Sequence, residues 1–568
     1  MKAIGKIFFI LMIIIIFSSC FSEWRGDRAT ITISFGGGDG RAAAWPPTKG
    51  VLGELIYTVT LSSGSTELEP IKRNGTETIK VEIDPGLWNV VIEAYIDDLL
   101  FASGTPKDVE VIAGRNNEVE VEMKPSDYTF FAVADKDDWK EAASSIGGGG
   151  EGKRYVIIVT KGFKMEGSTN VTFGTVNNIN VIIRGNHIIE LTEKGGLLSI
   201  MGNQNVTLRD VKLQGHEDNS SPLVMVEGGP FTMEGSASVT GNSNKNGNCG
   251  GVNVFGTFIM KDSASVSGNH SNNGGGVVVF SGTFTMSGSA VLSGNTASEK
   301  IDDNNNHVGG NGGGVYIDYG GKFIMSESAV ISRNISDIMG GGVYLQDGTF
   351  TMSGSAEISG NTTTGTGGGV YVSNGEFTMS GSAVISGNAV IGTNTTGVGG
   401  GVAVSYGTFN MIDGEISGNT VTGSPSKGGG VFLTGNAYFN MSGGIITGNF
   451  VTGSGNDING AGLYLEGLCT FRVGGTANIR GNKKPDSNGD NSNVYLANGR
   501  YIVLGYNEAY IGNTQWLPKG MMIYVTTQNT NGKIVDNGAD EEDKFYFMGD
   551  NDMSVSHNSA DNSLSINQ

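Results

Sequence analysis

The sequence predicts an all-β protein, a right-handed parallel β-helix with three short strands per coil, preceded by a small β-sandwich. Three observations lead there. A unit of about 27 residues repeats from Phe231 to Asn482, and each unit holds three short β-type runs separated by Gly and Ser. From each repeat Phe to its closing Asn the count is 11 residues, or 10 in the copies at Phe409 and Phe439. The stretch from that Asn to the next glycine run varies freely, from 5 residues (Asn269 to Gly274) to 17 (Asn295 to Gly312). A period of this length marks stacked units that bury a core only against their neighbours.

Each run has an assigned inner face, because alternate residues of a strand share a side. Phe350 and Met352 share one, as do Phe284/Met286, Phe377/Met379 and Phe439/Met441. In the next run Ala356 and Ile358 flank Glu357, a residue type that belongs in water, so its neighbours face inward. No run is long enough for a helix, and the glycine density opposes one. The closing residues Asn242, Asn269, Asn295, Asn334, Asn361, Asn388, Asn419, Asn449 and Asn482 are expected to form one structural column at a corner. Asn tolerates left-handed backbone, and its amide can bond to the coils above and below. The methionines read as core, not as metal ligands.

The chain opens with Lys2, Lys6 and the apolar run Ile7–Phe17, too short to span a membrane and suited to a signal peptide. Phe17-Ser18-Ser19-Cys20 resembles a bacterial lipobox. The expectation is a 1–20 lipoprotein signal peptide, lipid attached at Cys20, a 21–28 tether and an outer-membrane, surface-exposed location. Alternating runs between turn signals place an immunoglobulin-like or transthyretin-like sandwich at 29–125, acting as a spacer. Residues 126–154 form a linker and a capping helix, with Trp139, Ala142, Ala143 and Ile146 on one face. A lid is needed there because a bare solenoid end is an open sheet edge. The β-helix is expected over 155–510 and an acidic cap over 511–568. Cys249 and Cys469 stand about eight coils apart, roughly 38 Å at one strand spacing per coil. That is too far for a disulfide.

The pairing of Gly-Gly-Gly-Val-Tyr with Ile-Ser-Gly-Asn resembles the repeats of the polymorphic outer membrane protein family, over about Gly228–Asn482. Ile358, Ile385 and Val266 stand where that family's F-x-x-N motif has Phe. The resemblance implies a right-handed β-helix shown on a bacterial surface, often as an adhesin. That family ends in an autotransporter barrel, whereas this chain ends Ser565-Ile566-Asn567-Gln568, so the likeness is to a lipid-anchored relative without a barrel.

The functional expectation is therefore an adhesin-like interaction or display stalk, held to the membrane through Cys20, with a host or envelope glycan or protein as partner. The alternatives are a β-helix polysaccharide lyase or glycoside hydrolase, and a structural envelope protein. The formal net charge of −20 sets the surface against nucleic acid. The outward column Tyr316, Tyr344, Tyr371 and Tyr464 offers rings for stacking on sugars, weighed against plain cross-coil stacking. Arg184 and Arg209, 25 residues apart, align coil over coil beside Asp210 and Lys212 as a candidate anion or glycan cluster. The competing reading is a solvated edge neutralised by Asp210 and Glu190. No catalytic cluster, metal site or cofactor is assigned: Asp486-Ser487-Asn488-Gly489-Asp490 does not complete a calcium loop, and Arg25-Gly26-Asp27 reads as chance.

Overall fold

The computed structural model describes residues 28–35, 51–75, 79–168, 171–301, 306–392, 397–424, 426–453, 458–484, 491–505 and 520–567. Cys20, the Arg25-Gly26-Asp27 tripeptide and the Asp486-Ser487-Asn488-Gly489-Asp490 loop lie outside them. The chain forms two compact units, Met1–Ala132 and Val133–Gln568.

The first unit is built from two sheets. In one, Ala29–Phe35 runs antiparallel to Ile79–Ile83 and parallel to Asn116–Val121. In the other, the long antiparallel pair Leu55–Ser63 and Gly86–Ile96 forms the centre. Alternation is visible in its burial: Tyr57, Val59 and Leu61 are buried, as are Val90, Ile92 and Ala94, while the residues between them are more open. Trp88 is buried and donates its indole N–H to Asp84 O at 2.9 Å.

The second unit is a parallel β-solenoid of about 14 turns. It opens on helix α1 (Lys136–Gly147), whose N-cap is Asp135; its carboxylate accepts the N–H groups of Asp137 and Asp138. Trp139, Ala142 and Ile146 are the buried face, and Ala143 is only half-buried. The helix packs on the first coil, with the Trp139 ring 6.2 Å from that of Phe163. Glu166 of that coil pairs with Lys136 at 2.6 Å and Lys140 at 3.5 Å. The Lys136 hydrogen bond is the main reason the Glu166 carboxyl is held down at about 2.

Three parallel stacks then run along the solenoid. One carries the Phe-x-Met runs, in which Phe323, Phe350, Phe377, Phe409 and Phe439 are direct register partners. All are fully buried, and successive rings stack at 4.7–4.9 Å. A second carries Ile358, Ile385 and Ile416 inward, with Glu357 and Glu415 between inward neighbours. The third carries the Val-Tyr-Leu runs that follow the glycines. Side chains as unlike as Glu357 and Val384 share one outward column, so the inward columns carry the specificity of stacking.

The structure adds a fourth stack that the repeat did not announce. The two or three residues after each Asn pair coil to coil: His270, Thr296, Ile335, Thr362, Ala389, Thr420 and Phe450 stand in one column. The longer insertions are thus folded onto the scaffold at their roots. In three of them the returning chain also stacks, Gly397 on Ser426 on Ile458. Val390, Val421, Val451 and Ala461 form a small core beneath. At the far end Met522–Thr527 pairs with both the Ile and Val stacks and Phe547–Gly549 pairs on it, next to a three-stranded antiparallel sheet. Lys544 lies in a short 3-10 turn, Asp543–Tyr546, just before the strand Phe547–Gly549. No helix among the described residues is long and apolar enough to cross a membrane.

Candidate functional site

The asparagine column is a continuous hydrogen-bonded ladder with one direction. Asn334 Oδ1 accepts both the backbone N–H and the Nδ2 of Asn295, at 2.9 and 3.0 Å. Asn334 in turn gives both groups to Asn361 Oδ1, and its Nδ2 also meets Leu292 O. The same double donation repeats through Asn361, Asn388, Asn419, Asn449 and Asn482. Asn269 gives both groups to Asn295, while Asn242 gives only its backbone N–H to Asn269. Every asparagine of the column is buried, so these bonds replace water for groups that would be costly to leave unpaired.

Of the two reasons read in the sequence for Asn at this corner, the amide bonding to neighbouring coils holds and the left-handed backbone does not. The left-handed residue is the one before it: φ is 62° at Gly360, 61° at Gly387 and 63° at Gly418. Glycine takes the turn, and Asn supplies the amide. Arg333 replaces that glycine in one coil and is held at φ 55°, a conformation that strains a side-chain-bearing residue.

The ladder is longer than its repeat signature. Asn219 joins it upstream, donating to Asn242 Oδ1 at 2.8 Å. Downstream, Asn482 donates to Asn493, and Asn493 donates its N–H and Nδ2 to the two oxygens of Asp550. Thr526 Oγ1 adds a third donor at 2.6 Å. A chain of donors all pointing one way ends well on a group with only acceptors, and a buried carboxylate is that group. Burial raises the Asp550 pKa, and the hydrogen bonds from Thr526 and Asn493 oppose that shift. Asn493 precedes Val494-Tyr495-Leu496 with no Gly-Asn signature, and Asp550 lies 57 residues further on, past the last repeat.

The tyrosine column does not present free ring faces. Tyr316, Tyr344 and Tyr464 are 7, 8 and 4% exposed, and Tyr371 is half-buried. Tyr316 stacks on Tyr344 at 5.1 Å and Tyr344 on Tyr371 at 5.3 Å; Tyr464 stacks on Tyr495 at 4.9 Å. Sugar stacking is therefore withdrawn from this column, because neighbouring rings occupy the faces. The cover comes from the glycine runs. Gly340 and Gly367, at φ 65° and 71°, fold the chain back so tightly that a Cβ on either would strike the carbonyl of Val343 or Val370, and Met339, just before Gly340, packs on the tyrosines. The column is a second apolar core outside the coils, with Cys249, Val278 and Met339.

The arginine cluster is rearranged as well. Arg184 and Arg209 are register partners, as the spacing required. The carboxylate on Arg209 is Glu234, not Asp210 or Glu190, and it is shared with Lys261: Arg209 Nε lies 2.6 Å from Glu234 Oε1, and Lys261 Nζ 2.7 Å from Oε2. Asp210 is a left-handed turn residue at φ 59° whose Oδ1 accepts the N–H and Oγ of Ser236. Glu190 is taken by Lys164 at 2.8 Å. Lys212 stands in the Ile stack between Ile188 and Ser238, half-buried. Both Cys249 and Cys469 are free thiols, and burial pushes Cys469 up to about 11. Among the described residues no group of His, Cys, Asp or Glu is arranged to hold a metal ion.

Searches against family models, curated proteins and solved structures find no match for the chain.

Proposed function

We propose that this chain is a lipid-anchored, surface-displayed stalk of adhesin type, related in architecture to the polymorphic outer membrane protein repeats. One observation carries the reading. Four insertions of the repeat begin in register at one edge, on the column of Thr296, Ala389, Thr420 and Phe450, and the last three return in register on Gly397, Ser426 and Ile458. The coils keep their Phe, Met, Ile and Asn columns through all of this. Such a molecule separates a constant scaffold from a single edge free to vary, and recognition by loops on a stiff scaffold follows that plan. The Asn, Thr, Ser and Gly content of these insertions favours hydrogen-bonded contacts that are individually weak, and many anchored copies compensate through avidity.

The sequence supplies the anchor in Cys20. In cells carrying the full chain, the protein is expected in the detergent phase, with the cells retained on immobilised extracellular-matrix proteins or glycans. Cys20→Ala should move the protein to the aqueous phase and abolish retention. Membrane retention of the Cys20→Ala chain would overturn the anchor. Loss of the anchor with no loss of cell retention would overturn the stalk.

A further inference from the structure

The outward side of the Val stack carries an aromatic strip apart from the variable edge, and its inner ring, Phe280, packs edge-on against the buried Tyr316 at 6.1 Å. Phe255 is 44% exposed and Tyr319 72%, and Phe280 lies half-buried between them. The Phe280 ring is 5.7 Å from Phe255 and 5.6 Å from Tyr319. Phe280 and Asp318 are register partners, so the strip follows the coil stack. Tyr319 sits at φ 53°, in the left-handed region that an aromatic residue seldom enters. Ser281, at the same turn one coil before, takes φ 56°, so the turn itself sets this backbone and brings the Tyr319 ring to the surface.

Polar groups of one kind flank the rings. Asp318, beside Phe280, is 8% exposed and supplies negative charge only: its Oδ1 accepts the Tyr319 N–H at 2.8 Å and its Oδ2 the Tyr316 hydroxyl at 3.2 Å. Glu227 lies at the other end, one coil before Phe255 and next to Met225 in a small cavity of about 120 Å³. Asn253, two residues before Phe255 on the same side of its strand, is 8% exposed, and its Oδ1 meets no donor among the described residues. A buried acceptor without a donor is costly until one reaches it. The strip therefore offers ring faces and the acceptors of Glu227 and Asn253, and neither outward column has Lys or Arg from Met225 to Asp318.

We infer that this strip is a binding site for a neutral glycan. Sugar rings place C–H faces on aromatic rings and hydroxyl donors on carboxylates and amides. The carboxylates disfavour uronates and other polyanions. From Glu227 to Asp318 the strip crosses three coil steps, roughly 15 Å at one strand spacing per coil, which accommodates a short run of sugar units along the solenoid axis. The site goes beyond the stalk reading and does not depend on the edge.

The test is calorimetric titration of the detergent-solubilised full chain with cellohexaose, chitohexaose and hexagalacturonate. At least one neutral hexasaccharide should bind and the acidic one should not. Phe280→Ala should weaken binding about tenfold, the scale of one lost stacking partner. Tyr319→Gly should do the same while relieving the left-handed backbone, so it keeps the experiment informative if Phe280→Ala folds poorly. A chain with the 299–309 hairpin removed should bind as the wild type does. Failure of both neutral sugars, equal binding of the acidic one, or affinity within twofold of wild type in Tyr319→Gly would each overturn the site. Cell retention lost on removing the hairpin, with sugar binding absent, would remove this site and leave the stalk standing.

Discussion

Phe350→Ala is expected to destabilise the solenoid by about 3–5 kcal/mol, the cost of emptying a filled core position. Phe350 is fully buried and stacked at 4.7 Å on both Phe323 and Phe377, so neither neighbour can close the gap without leaving its own partner. Because stability in a solenoid is shared between adjoining units, the loss should spread over neighbouring coils. Thr351→Ala, one residue along on the outward side, should cost little. Hydrogen exchange of the amides around Phe323 and Phe377 reads the difference; equal effects of the two substitutions would mean the inward and outward faces are wrongly assigned.

Asn361→Ala strikes the other continuous column. It removes the acceptor for two buried donors, Asn334 N–H and Nδ2, each costing about 1–3 kcal/mol when left unpaired. It also withdraws the Nδ2 bonds to Ile331 O and Asn388 Oδ1. The ladder is directional, so the damage should be asymmetric: the coil of Asn334 loses its acceptor, while Asn388 still receives the Asn361 backbone N–H. Asn361→Asp keeps the acceptor and loses the Nδ2 donor, and should be less damaging on the Asn334 side. Urea unfolding of the three chains gives the order, and an Asn361→Ala chain as stable as wild type would show that the ladder carries no net stability.

The columns could be read in the sequence because solenoid stacking repeats one environment coil after coil, and a repeated environment selects a repeated residue. Phe350 and Met352, Ile358 and Asn361 were visible for that reason. What could not be read depends on contacts without a period. Asp550 ends the ladder from beyond the repeats, and nothing in its neighbourhood marks it. Glu234 faces Arg209 because Asp210 is spent on a turn. The tyrosines alternate as outward residues do, yet they stack on one another and pack with Cys249, Val278 and Met339, a tertiary effect that period-2 reasoning does not contain. Phe255, Phe280 and Tyr319 fall where the repeat is least regular, at the turn between two runs, so no column drew attention to them.

The most direct test of a constant scaffold with one variable edge is removal of the hairpin formed by Glu299–Ile301 and His307–Gly309. Thr296 and Ala297 must stay, since they belong to the edge stack and Ala297 is fully buried. Hydrogen exchange of the shortened full chain should show the strand amides of the Phe284, Phe323 and Phe350 coils protected as in the wild type, with an unchanged melting point. Faster exchange through those three coils would show that the insertion supports the scaffold, and would contradict the division of labour proposed for this protein.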